Sequence, residues 1–440
     1  MRHGERRAPS AAERSFLAFD SPRTAQHFGV VCRFEPSGSP EGFARRLVDR
    51  LRAAGPVVAP FTSRPRRGVL PARTGGWETT PDAAVDRGHH VRLTRPGGTP
   101  ADAVARVHST PLDPARPLWE AHVIPGGREV VLLFKVHHAL TDGHGFLARL
   151  DRMLGERRDD EGGGPPWVFA DPAPAGPAPR PPPLWRAGPL AARTLVDAVR
   201  GGPVPYGVPA TLLNGSIGPE RLVESRVLPL AAVRGVASAT GATVNEVYLA
   251  VLGGALRSYL LDHAALPRFD LTAGVPVSLR ATGDTAAANT FTMTVMGLGT
   301  AVADPVARLD AVRAGSGAAK GALARLPRPV LARLAAVVTG PLAAAHAVGA
   351  GHLLPRPPYS VVASNVRGPD GPRYLLGERL RSLHGAGSLC HGTGLFAAAV
   401  SADDRFEVCL TAAANLVPDL RGLADAVPAE FDALAAAAVA

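Results

Sequence analysis

Lysine is almost missing from this chain: Lys135 and Lys320 are the only two in 440 residues, so the net charge of +10 rests on arginine. Those arginines are dispersed, and the densest basic runs, at residues 45–46, 64–67 and 157–158, are short. Aromatic residues supply 5% of the chain, too few to interleave with the cations as a nucleic-acid surface requires. No nucleic-acid partner is expected. A basic balance of this kind also suits a phosphate-bearing co-substrate or an anionic membrane face. Cysteine is equally sparse: Cys32, Cys390 and Cys409 fit neither a disulfide framework nor paired Cys-x-x-Cys metal spacing, and the cytoplasm is the expected compartment. The basic start lacks an apolar core, since Glu13 and Arg14 interrupt residues 8–19, and no secretory signal is expected. The longest uncharged stretch, residues 334–355, contains Gly340, Pro341, His346 and His352, and reads as a buried or interfacial helix pair rather than a membrane span. Association with a membrane or lipid droplet would then be peripheral.

What is present is ordinary globular composition, 46% hydrophobic and 20% charged, which excludes disorder or a disulfide scaffold as a description of the whole. The length suits two or three domains, or one fold built of two large halves. Residues 1–160 alternate helical patterns with short β-rich runs. Residues 130–136 (VVLLFKV) form an almost continuous apolar strand of the kind covered on both faces. Residues 161–209 are rich in glycine and proline and read as a crossing linker. Residues 210–440 open with a strand at 226–230, helices at 230–240 and 243–261, then strands at 271–277, 290–298, 360–364 and 406–412. The fold class is α/β.

The most informative residues follow the buried strand: His137, His138, Ala139, Leu140, Thr141, Asp142, Gly143 and His144. A histidine at a strand end can take a proton at neutral pH and return it. Gly143 would permit a tight turn or a close backbone approach. A metal site is disfavoured because adjacent side chains on a strand end point to opposite sides and no further ligand cluster completes a shell. Satisfied core histidines in an ordinary turn are the remaining bland reading.

These residues make the pattern HHxxxDG, and with it the chain resembles the bacterial wax ester synthase/diacylglycerol acyltransferase family, of the superfamily that includes chloramphenicol acetyltransferase and peptide-synthetase condensation domains. Residues 15–22 (SFLAFDSP) and 111–120 (PLDPARPLWE) are similar to the family's motifs before the catalytic strand. Asn214–Gly215, 243–246 (TVNE), 276–280 (PVSLR) and 364–369 (SNVRGP) are similar to those after it, in the expected order. Two positions depart from the family pattern: Glu246 stands where an aspartate is usual and Arg367 where a proline is usual.

The resemblance implies two chloramphenicol-acetyltransferase-like subdomains with an active-site tunnel between them. It implies O-acyl transfer from acyl-CoA to an alcohol or diacylglycerol, with acyl-CoA as co-substrate and neither metal nor cofactor. His138 would be the general base, supported by His137, with Asp142 and Gly143 completing the motif. The same resemblance implies a structural Asp142 that points away from the imidazole toward an arginine, here Arg280. Asn245, Glu246 and Asn365 would act at the subdomain junction, and Ser364, Asn289 and Thr393 are candidate oxyanion donors. Two other readings stay open: acylation of an amine or natural-product hydroxyl, with a carrier protein as donor, and a catalytically silent lipid- or CoA-binding protein.

Overall fold

The computed structural model describes residues 6–67, 74–170, 205–278, 291–324, 328–353 and 356–439. Most of the glycine- and proline-rich linker, together with Arg280 and Asn289, lies outside these residues. In chain order the first part runs β1 (Arg6–Arg7), α1 (Ala11–Phe19), β2 (His27–Phe34), α2 (Pro40–Ala53), β3 (Ser63–Arg67), β4 (Thr74–Thr79), α3 (Arg87–His90), β5 (Val91–Leu93), α4 (Pro100–Ser109), β6 (Trp119–Gly126), β7 (Glu129–His137) and α5 (Gly143–Met153). It continues with β8 (Arg221–Pro229), α6 (Leu230–Thr240), α7 (Val244–Asp262), β9 (Thr272–Ser278), β10 (Phe291–Gly297), α8 (Pro305–Ala324) and α9 (Arg328–Ala347). The last elements are β11 (Val361–Arg367), β12 (Tyr374–Leu375), β13 (Glu378–Ala386), β14 (Leu395–Ala402), β15 (Arg405–Ala413) and α10 (Leu420–Val439).

Helix starts follow local chemistry. At Ser10, Thr99 and Thr243 the hydroxyl accepts the N–H of the third helical residue, while the acid there (Glu13, Asp102 or Glu246) accepts the cap's own N–H. Glu246 is therefore half of a capping box, a task that a carboxylate one methylene longer than aspartate performs without strain.

Two six-stranded sheets form the frame, in the orders β12-β13-β2-β7-β6-β5 and β10-β9-β11-β14-β15-β8. A third sheet, β1-β4-β3, is small. The apolar run of β7 has the expected reason: its two faces are covered by separate cores. Val130, Leu132, Phe134 and Val136 pack with Phe28, Val30, Trp119, Phe146 and Trp167, whereas Val131 and Leu133 pack with Val31, Ala103, Val104 and Ile124. In the second sheet α7 is buried along most of its length, and a Cβ on Gly253 would lie 1.9 Å from the Leu298 carbonyl oxygen, so only glycine lets that backbone approach.

The predicted helices at 230–240 and 243–261 match α6 and α7, the predicted second-half strands match β9, β10, β11 and β15 to within three residues, and the strand expected at 226–230 is the end of β8, which begins five residues earlier. One crossing was not anticipated. The hairpin β12-β13 leaves the second half and pairs with β2, Ala386 opposite Gly29 and Leu383 opposite Cys32. The chain after residue 210 thus completes the first sheet as well as building the second. Where a helix pair was expected, residues 334–353 form the end of the single helix α9, which runs through Pro341, and a 3-10 turn at Gly351–Leu353; no helix among the described residues is long and apolar enough to cross a membrane.

Candidate active site

His138 is the first residue after β7, held by its backbone N–H donating to the Gln26 carbonyl at 2.9 Å. Its ring stacks on Phe16 of α1, with centroids 4.7 Å apart and planes within 9°, and leans on Phe28 of β2 at 4.7 Å. Removal from water, with His137 nearby as the smaller cause, pushes its pKa down to about 3. The imidazole is consequently neutral throughout the physiological range, the form a general base needs.

His137 points to the opposite face, as strand alternation requires, and the pair cannot share one ion. Its Nδ1 accepts the Ala139 N–H at 3.0 Å, which leaves the ring proton on Nε2, 3.7 Å from Asp20 Oδ2. Asp20 caps the C-terminal end of α1, and its Oδ1 accepts the Gln26 N–H at 2.9 Å. On the same rear face lies Lys135, fully buried, donating to the Thr110 carbonyl and 3.6 Å from Glu120 Oε2. Burial lowers the Lys135 pKa to about 8 against the pull of Glu120. Burial also raises the Glu120 carboxyl, but the His122 hydrogen bond and the charges of Lys135 and Arg92 bring it down to about 2. The tryptophan and glutamate of the PLWE segment thereby acquire distinct duties. Trp119 donates its indole N–H to the Phe61 carbonyl at 2.8 Å, and Glu120 anchors the rear ion cluster.

Asp142 is the N-cap of α5 and accepts the Gly145 N–H at 2.7 Å. Arg280, the partner expected for it, lies outside the described residues. The tight turn expected at Gly143 is corrected: the residue opens α5 without a left-handed φ, and a Cβ there would meet no protein atom within 4 Å. The tight glycine of this segment is Gly145, where a Cβ would lie 2.8 Å from Thr141 Oγ1. Gly143 borders open cavity instead. From the second half, Asn365 Nδ2 donates to Asn245 Oδ1 at 3.3 Å and ties β11 to the first turn of α7. Ser364 and Asn365 line the cavity, whereas Thr393 is buried and is not among the residues lining it. Asn289 lies outside the described residues.

The cavity that receives His138 measures about 1730 Å³ and lies between the halves. Phe16, Phe28 and Leu147 line one side, Leu342, Phe396 and Val400 the other. It exceeds the roughly 300 to 1,000 Å³ usual for a single small-ligand pocket; more of its wall is hydrocarbon than polar, with His138, Asn365, Ser364 and His144 among its polar groups and Arg7, Glu13, Arg14 and Asp82 among its charged ones. Sequence reading located the histidine pair but not Phe16 or Asp20. Both sit in the 15–22 segment, which the sequence marks only as similar to a family motif, with no role for either side chain.

Residues 10–248 match the profile of the wax ester synthase/diacylglycerol acyltransferase catalytic domain, and residues 287–435 match that of the WS/DGAT C-terminal domain. A Mycobacterium tuberculosis protein provisionally named diacylglycerol O-acyltransferase is 33% identical, over 97% of this chain and 90% of its own. The O-acyltransferase WSD of Acinetobacter baylyi is 29% identical over 93% and 92%. Among solved structures, the wax ester synthase/diacylglycerol acyltransferase from Marinobacter aquaeolei superposes with a TM-score of 0.76 at 26% identity, covering 99% of this chain and all of that one. The first condensation domain of the calcium-dependent antibiotic synthetase shares the fold, with a TM-score of 0.61 at 17% identity over 99% and 97% of the two chains.

Proposed function

Because the chain belongs to the wax ester synthase/diacylglycerol acyltransferase family and is an acyltransferase, we propose that it moves a fatty acyl group from acyl-CoA to the hydroxyl of a fatty alcohol or diacylglycerol, with His138 as general base. The observation that carries this reading is the placement of a neutral, ring-stacked imidazole in a large hydrocarbon-walled cavity. His138 Nδ1 is buried, so Nε2 is the atom assigned to take the proton. The acceptor oxygen attacks the thioester carbonyl as its proton passes to Nε2, and the oxyanion forms beside the new imidazolium. The two charges arise together and offset one another in a low-dielectric site, where separate charges would be costly. Collapse breaks the C–S bond, the imidazolium returns the proton to the sulfur, and ester and free thiol leave. No acyl-enzyme is required.

Exposed Val348 and Leu353 lie just beyond α9, which lines the cavity, and suit peripheral contact with the lipid phase that holds such substrates. The test is mass spectrometry of products from purified protein offered acyl-CoAs of several chain lengths with alcohol, diacylglycerol and amine acceptors. Ester from the long-chain alcohol or diacylglycerol supports the reading. Amide formation, activity only with a carrier-protein thioester, or acyl-CoA binding without turnover would each replace it.

A further inference from the structure

Asp20 is not among the residues lining the cavity, yet it meets the turn that carries His138 from two directions, once by a hydrogen bond through Gln26 and once across an ion-pair distance to His137. Its Oδ1 accepts the Gln26 N–H at 2.9 Å, and the carbonyl of the same residue accepts the His138 N–H at 2.9 Å. Its Oδ2 faces the protonated Nε2 of His137 at 3.7 Å, while Nδ1 of that ring accepts the Ala139 N–H at 3.0 Å and the Leu140 N–H donates to the His137 carbonyl at 2.9 Å. His138 is thus the middle residue of a short turn closed by its neighbour's side chain, and the Asp20 carboxylate, at ion-pair rather than hydrogen-bond distance, attracts the proton of that side chain to Nε2. Asp20 also ends α1, the helix that lays Phe16 on the His138 ring. The loop between α1 and β2 is closed by Thr24, whose hydroxyl donates to the Phe19 carbonyl at 2.6 Å, and by the Gln26 amide, which donates to the Thr24 carbonyl at 2.8 Å and to the Leu389 carbonyl at 3.2 Å.

We infer that Asp20 is a positioning residue for acyl transfer: it sets the His137 tautomer and, through Gln26 and α1, the place of the His138 ring. This rests on the reading of His138 as the base. A neutral imidazole with its proton on Nδ1 would meet the Ala139 N–H donor to donor, so a wrong tautomer opens the turn. Small displacements of a reacting group are expensive, about a hundredfold in rate for roughly 1 Å.

Asp20→Asn separates the two attachments. Its amide oxygen still accepts from Gln26, but its NH2 group is then turned toward the His137 Nε2–H, which favours the other tautomer. The expected result is a fall in kcat of about tenfold or more, with KM for acyl-CoA within about twofold and an unchanged melting temperature. Nitrogen NMR of the His137 ring should report a proton shifted away from Nε2. Wild-type kcat, or an unaltered His137 ring, overturns the inference. So does a loss of rate that merely follows a loss of folded protein in both Asp20→Asn and Asp20→Ala. If His138→Ala keeps its turnover, the base assignment fails on its own account, and the NMR result for His137 still decides whether Asp20 sets the tautomer.

Discussion

The front and rear faces of β7 take one strand into two opposite environments. On the front, Val130, Leu132, Phe134 and Val136 lead through unbroken hydrocarbon to His138, which stands among aromatic rings and is held neutral. On the rear, Val131 and Leu133 give way to Lys135 and His137, backed by Glu120, Asp20 and the buried pair His27 and His108. A reacting imidazole gains from dryness, because proton transfer and the oxyanion then see fixed groups rather than water. It cannot also be oriented by charges on that side without titrating. The division of the strand into a dry face that reacts and a polar face that holds lets both needs be met within two residues.

The sharpest way to break the comparison is on the front face. His138→Ala should lower turnover by about 10² to 10⁴ while acyl-CoA binding and the melting temperature stay close to wild type. More than about one hundredth of the wild-type rate remaining would mean that the face does not hold the base.

On the rear face the expected effect is on stability. Lys135→Met removes one of the cations facing the Glu120 carboxylate, which is 7% exposed, and the donor to the Thr110 carbonyl, and should cost about 1 to 3 kcal/mol by denaturant unfolding. A cost below about 1 kcal/mol would show that Arg92 and His122 satisfy Glu120 without the lysine.

Acid sharpens the same contrast. Burial holds His90 and His108 at about 4, below the value near 6.5 of an unfolded chain, so between these limits the unfolded state binds the extra protons. Stability is therefore full above pH 6.5 and is lost as pH falls through this window, by about 1 kcal/mol per group at pH 5.5. Glu120 and Glu407, held at about 2, act only below their unfolded value near 4.5 and leave this window to the histidines. Urea unfolding at pH 7.5 and 5.5 measures the difference, and equal midpoints would contradict the burial of these rings.

The smallest effect expected concerns α5. Asp142→Ala removes the N-cap and should cost about 1 kcal/mol, whereas Asp142→Asn keeps a capping oxygen and should cost less from that source. If Asn instead leaves stability untouched and abolishes turnover, Asp142 belongs to the chemistry rather than to the helix.

Much of the frame was legible because its signals are local. Residues 130–136 announce a strand covered twice, Thr243 and Glu246 announce a helix start, and the two histidines ending a buried strand announce opposite orientations. What stayed hidden is long-range. Nothing near Glu378–Ala386, with its alternating arginines, says that this strand returns to pair with His27–Phe34. Lys135 reads as an interruption of an apolar run until Glu120 is found opposite it on β6. Phe16 and Asp20 meet the histidines across more than a hundred residues, and no periodicity encodes a ring stacked on a ring from another element. Glycine misled in a smaller way: Gly143 drew attention by its place in the motif, yet the crowded position is Gly145.

The central claim, a base held neutral by a dry face and aimed by a polar one, is tested most directly by the pH dependence of kcat/KM in the wild-type protein. The donor should be an acyl-pantetheine thioester, because a CoA phosphate monoester titrates at about pH 6, and the range pH 8 to 5.5 should be covered with folded protein verified at each point. With His138 at about 3, the account predicts a profile that stays flat to within about twofold across this range. An acid limb centred at about pH 6.5, with roughly a tenfold loss by pH 5.5, would mark an ordinary solvated histidine and contradict it.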